Sequence, residues 1–69
     1  MSDHVYKVVE IVGSSKVSSD EAIRTAIATS AKTIRHISWF EVVSTTGHVV
    51  DGQVAHFQVK LKIGFRIEE

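Results

Sequence analysis

Hydrophobic and polar residues alternate most regularly at the C-terminal end of the chain. Ala55, Phe57, Val59, Leu61, Ile63, Phe65 and Ile67 interleave with His56, Gln58, Lys60, Lys62, Gly64 and Arg66. A period of two puts the sets on opposite faces of a β-strand, and the apolar set has to face a core. A second strand-like run, from Ser38 to Val50, is joined to it by Asp51-Gly52. Asp-Gly between apolar runs signals a two-residue hairpin, because a type I′ turn needs positive φ at both central positions. Such a turn pairs Val50 with Gln53. Counting outward without a bulge sets Thr45 opposite Gln58, Glu41 opposite Lys62 and Trp39 opposite Gly64, with Phe40 facing the core.

Two further elements precede the hairpin. His4 to Val12 is rich in β-branched and aromatic residues and reads as a strand ending at Gly13, although its faces are not cleanly polar and apolar. Gly13-Ser14-Ser15-Lys16 reads as a loop. Ser18-Ser19-Asp20-Glu21 has the form of a capping box, in which the Ser18 hydroxyl accepts from the amide of residue 21 and Glu21 reaches back to the Ser18 amide. The helix that follows is predicted from about Ser19 to His36. Its apolar stripe is Ile23, Ile27 and Ile34, with Ala26, Ser30 and Ala31 between, and Lys32, Arg35 and His36 lie near its negative end. Ala22, Ala26 and Ala31 would let a sheet approach closely. The predicted fold is α+β, a single βαββ domain over 1–69 in which one helix covers one face of a three-stranded antiparallel sheet.

That register puts Trp39, the chain's one tryptophan, on the face away from the helix, over a residue with no side chain. A glycine inside a strand often marks a close approach by a ligand or another backbone. Composition and register leave three roles open for this indole: interface anchor, ligand platform or plain surface. Gln58 shares the face but lies six residues along the ladder, roughly 20 Å at the strand rise. A small ligand touching both would draw them from different chains, or the hairpin would bend sharply.

Composition narrows the functional classes. A chain of 69 residues with no cysteine has no disulfides and no thiolate chemistry, so partner subunits are the natural source of extra buried surface. Eight basic residues balance eight acidic ones, which argues against capture of nucleic acid or of an anionic membrane. Met1-Ser2-Asp3-His4 lacks the basic start of a signal peptide and no run is long enough to span a bilayer, so a cytoplasmic protein is expected. No nucleophile elbow or phosphate-binding glycine loop is evident, so no catalytic residue is assigned. His48 and His56 flank the turn on opposite faces in the bulge-free register and could not chelate one ion within a subunit. His4 and His36 have no ligand partner at helical spacing, and no metal is expected.

Several segments together carry a family resemblance: Tyr6-Lys7-Val8-Val9-Glu10-Ile11-Val12-Gly13-Ser14-Ser15, Trp39-Phe40-Glu41-Val42, Asp51-Gly52, Ala55-His56-Phe57-Gln58-Val59 and Gly64-Phe65-Arg66-Ile67. In this combination the chain resembles the bacterial dodecins. The resemblance implies a homododecamer, a hollow shell that binds pairs of flavins between subunits. It implies that the isoalloxazine stacks on Trp39, that Gln58 hydrogen-bonds the polar edge of the ring, and that Arg66 contributes to the ligand site. It also implies coenzyme A as a second ligand, with no residue assigned to it. The chain departs from the pattern at Thr46, where bacterial members often carry a ligand-holding arginine, and at Ser44, near an acid that contacts the ribityl chain in archaeal members. Ser44 and Thr46 are therefore weaker candidates, and the bulge-free register turns both toward the helix. The choice among FMN, riboflavin and lumichrome is left open. The expected function is flavin storage and photoprotective quenching by sequestration, without catalysis. The alternative is a structural assembly subunit with Trp39 as its interface anchor.

Overall fold

The computed structural model describes residues 3–67. Met1 and Ser2, which open the segment read for a leader, lie outside the described residues, as do the last two. Strand β1 (Tyr6–Ser15), helix α1 (Ser19–Ser30), strand β2 (Ile37–Val50) and strand β3 (Gln53–Arg66) follow one another in the βαββ order. The sheet order is β1-β3-β2 and both pairings are antiparallel. The central position of β3 explains why it alternates so strictly. Hydrogen-bonded on both edges, it carries Val59, Leu61 and Ile63 at 0% exposure beneath Ala22 and Ala26 of the helix.

Strand β1 extends three residues past the boundary expected from its sequence. Gly13 does not turn the chain; it lies opposite Val59, buried under α1. A Cβ there would collide with the Ala22 carbonyl oxygen and come within 2.9 Å of the Ala26 side chain. The small residues of helix and strand thus set a short helix-to-sheet distance. Pairing also settles the orientation of β1. Val9 and Ile11 face the helix with Ile63 and Leu61, whereas Tyr6, Val8 and Glu10 lie opposite Arg66, Gly64 and Lys62 on the other face.

The helix begins as expected and ends early. Ser18 is its N-cap, its hydroxyl accepting from the Glu21 amide at 3.1 Å. The reciprocal half of the box differs: the Ser18 amide donates to the Ser15 hydroxyl at 3.4 Å, and Glu21 pairs with Arg24 at 3.6 Å. After Ser30 the backbone tightens, with Lys32 and Thr33 donating to the carbonyls of Thr29 and Ser30. Lys32, Arg35 and His36 therefore lie beyond the helix, not in its last turn. The chain reverses at His36, whose φ of 65° is in the left-handed region. The His36 carbonyl accepts from the Ser38 hydroxyl and from the Arg66 amide, both at 3.1 Å, fixing the entry to β2 beside the end of β3.

The hairpin turns at Asp51 (φ 53°) and Gly52 (φ 76°), as the type I′ reading requires, and pairs Val50 with Gln53. Beyond Val49–Val54 the register departs from the simple count. Ala55 is bulged out of β3, so that His48 meets His56 and Thr46 meets Gln58. Val43 is then bulged out of β2, which restores Val42–Leu61, Glu41–Lys62 and Trp39–Gly64. These two bulges cancel, and a third irregularity at Ser38, just before Trp39, pairs Ile37 with Phe65. The expected Thr45–Gln58 pair is therefore corrected to Thr46–Gln58, and Thr45 faces Val59. Glu41 and Lys62 are register partners, although among the described residues no ion pair joins them. The molecule measures 57 × 20 × 13 Å, and α1 packs chiefly on β1 and β3. Phe40 accordingly occupies the helix-side row without being buried, at 48% exposure, and Val42 is bare as well.

Candidate functional site

The face of the sheet turned away from α1 holds Trp39, Ser44, Thr46, Gln58 and Arg66, the residues proposed from the sequence as ligand contacts. At one end, β2 delivers Trp39 across the hydrogen-bonded ladder onto Gly64 of β3. The benzo ring rests where a side chain would stand: a Cβ on Gly64 would overlap Trp39 Cη2, Cζ2 and Cε2. The indole extends toward β1, where Tyr6 meets it edge-on with ring centroids 5.2 Å apart and planes at 72°. Arg66 is the cross-strand partner of Tyr6 and is half-buried. It also borders a cleft of about 490 Å³ shared with Lys7, Ile34 and Arg35, so cationic groups gather at this end of the sheet.

Tyr6 was not recognisable from the sequence as a site residue. The orientation of β1 was ambiguous because Val8 and Val12 are apolar yet lie on the exposed face. The signal available was the spacing Tyr6-Val8-Glu10, which acquires meaning once Glu10 is paired with Lys62.

Midway along the same face, Ser44 lies opposite Lys60 and Thr46 opposite Gln58. The bulge at Val43 reverses the earlier expectation, turning Ser44 and Thr46 away from the helix and onto the face of Trp39. Gln58 and Gly64 remain six residues apart on β3, about 20 Å along the strand. One chain thus brings Trp39, Tyr6 and Arg66 together, and Ser44, Thr46 and Gln58 together, but keeps the two groups apart. Farther out, His48 faces His56 with ring centroids 6.0 Å apart, where the bulge-free count had set them on opposite faces.

Chemically, the first group offers a flat aromatic surface, 42% exposed, with Arg66 two residues along β3 from its Gly64 seat. Such a surface suits a planar π-system, and the guanidinium suits an anionic appendage. The second group offers hydroxyl and amide side chains able to donate and accept at a polar ring edge. A fold and a face of this kind have counterparts. The dodecin family model matches residues 5–68. The chain belongs to the dodecin family. Among curated proteins, the dodecin of Thermus thermophilus is 46% identical over 65 residues, 94% of either chain. Among solved structures, the dodecin of Streptomyces coelicolor is 51% identical, covering 100% of this chain and 99% of its own, with a TM-score of 0.94. The dodecin of Streptomyces davaonensis is 47% identical, covering 99% and 100% respectively, also at 0.94. The βαββ architecture expected from the sequence is the one these dodecins share. No helix among the described residues is long and apolar enough to cross a membrane.

Proposed function

We propose that the chain is a flavin-binding subunit that sequesters FMN, riboflavin or lumichrome within a homododecamer and does not turn them over. The observation that carries this reading is the exposed indole of Trp39, seated on Gly64 and braced by Tyr6 on the face that α1 leaves uncovered. Family membership supports a flavin as the ligand class. Stacking an isoalloxazine on this indole would exchange two hydrated π-faces for one dry contact. A flavin bound there would supply the chromophore, and Trp39 would donate the electron that quenches its excited state and limits photochemistry. Arg66, two residues along β3 from Gly64, would favour an anionic flavin, and Gln58 would address the polar edge of a ring held by another chain.

The separation of Gln58 from Trp39 supports a site built between subunits. So do the bare apolar residues Phe40, Val42 and Val43 of β2, which give the chain a surface suited to burial against copies of itself. A soluble, intracellular location follows from this role.

Titrating the protein into FMN and into riboflavin should quench flavin fluorescence saturably, and Trp39→Ala should abolish most of the binding. Unchanged affinity in that variant would remove Trp39 from the site. Absent quenching together with dissociation of the Trp39→Ala assembly would favour the purely structural reading, in which the indole anchors an interface. Sustained turnover with a reduced nicotinamide would contradict sequestration.

A further inference from the structure

The outer part of the hairpin carries a feature that flavin sequestration does not use. His48 and His56 are direct cross-strand partners on the face away from the helix, with ring centroids 6.0 Å apart and planes at 87°. The bulge at Ala55 creates this pairing. Without it Ala55 would stand opposite His48, and His56 would point to the other face. Bulges commonly re-aim a side chain in this way near a functional position. We propose that His48 and His56 form a bidentate site for a borderline transition-metal ion such as Zn²⁺ or Cu²⁺, with solvent completing the coordination.

The geometry suits such an ion. A metal about 2.0–2.1 Å from an imidazole nitrogen lies roughly 3.2 Å from that ring's centroid. Two rings sharing one ion then have centroids about 4.5–6.4 Å apart as the angle at the metal opens from square to linear. The observed separation of 6.0 Å falls inside that range, and closing it by roughly 0.8 Å would bring the two rings to a tetrahedral angle at the ion. His48 is exposed and His56 half-buried, which leaves the ion a way in. Carboxylates are not available as extra ligands: no group of three or more histidine, cysteine or acidic side chains gathers among the described residues. Hard, oxygen-preferring ions such as Ca²⁺ and Mg²⁺ are therefore not the occupants, and imidazole-preferring ions are.

The test is a calorimetric titration of the chelator-treated, assembled protein with Cu²⁺ and with Zn²⁺. The expected result is one ion per chain, with Cu²⁺ bound more tightly than Zn²⁺ as the general order of divalent affinities requires. His48→Gln and His56→Gln should each weaken binding at least ~10-fold, since losing a ligand costs no less than losing a residue that merely supports one. His4→Gln should leave it unchanged. A wild-type isotherm indistinguishable from that of the His48→Gln/His56→Gln double variant would overturn the proposal. The imidazole proton resonances of the unaltered protein provide a check that does not depend on any variant folding. Zn²⁺ should shift those of His48 and His56, and a response confined to His4 or His36 would overturn the assignment.

Discussion

Gly64→Ala tests the seat of Trp39 with a single methyl group. The added Cβ would occupy space already taken by three atoms of the indole. To regain the usual carbon–carbon spacing of about 3.5–4.0 Å, the ring must retreat by roughly 1 Å or more. Two effects compete. Alanine is favoured over glycine in a strand by about 0.5–1 kcal/mol, and Gly64 has no positive φ to oppose the change. Against this stand overpacking, typically about 1–3 kcal/mol, and the Tyr6 edge contact, about 0.5–1.5 kcal/mol. The steric side wins, so the variant should lose about 1–3 kcal/mol of stability at fixed protein concentration. If the ring also leaves its stacking position, flavin affinity should fall tenfold or more, about 1.4 kcal/mol. Denaturant titration followed by emission of the chain's one tryptophan reports on the same ring that moves. A double-mutant cycle isolates the clash, because in a Trp39→Ala background the added methyl meets no indole and should cost nothing or stabilise slightly. An equal loss of stability in both backgrounds would refute the reasoning, as would a Gly64→Ala protein with wild-type stability and unaltered tryptophan emission.

Other perturbations test separate parts of the account. Gly13→Ala should damage folding more than Gly64→Ala, because its Cβ meets the helix backbone at Ala22, which cannot rotate away as a side chain can; circular dichroism with thermal melting reads the loss. Ser18→Ala should cost about 0.5–2 kcal/mol, since the Glu21 amide loses its acceptor, and Ser18→Asn should recover most of it in the same melt. Leu61→Ala should cost about 2–5 kcal/mol by emptying the centre of the core, measured by denaturant titration. Thr46→Arg, placed opposite Gln58, should raise affinity for FMN relative to riboflavin by several-fold, of the order expected for one solvent-exposed charge-assisted contact. An unchanged ratio of the two dissociation constants would separate Thr46 from the phosphate.

Much of this arrangement was legible in the sequence, for identifiable physical reasons. The alternation of β3 is strong because that strand is central and buried on one face, and Asp51-Gly52 admits few backbone conformations. Those two features alone placed Trp39 over Gly64. The agreement survived only because the bulges at Ala55 and Val43 lie on different strands and compensate, so that the simple count holds again from Val42 to Trp39 before a further shift at Ser38 moves Ile37 onto Phe65. Between the two bulges the count was off by one, and each face assignment there was inverted for β2. Ser44 and Thr46 were turned the wrong way, and His48 and His56 were separated although they meet. A bulge has no sequence signature comparable to Asp-Gly, because neither Ala55 nor Val43 needs an unusual φ.

The helix end was missed for a different reason. Lys32, Arg35 and His36 suit a helix C-terminus, yet the chain must reverse at His36 to enter β2, and the sheet takes precedence over local propensity. Ile34 kept its place against the core despite lying outside the helix. Gly13 looked like a turn residue and is a close-packing one; a glycine serves both purposes, and only the partner across the contact distinguishes them.

The central claim is that the flavin site around Trp39 exists only in the assembly. Sedimentation velocity recorded at the flavin absorption band tests it most directly. FMN or riboflavin should cosediment with a particle of about twelve times the 7.6 kDa chain mass, near one flavin per chain, and no flavin should travel with dissociated subunits. Flavin left wholly at the free-ligand boundary, or carried by a species of single-chain mass, would contradict it.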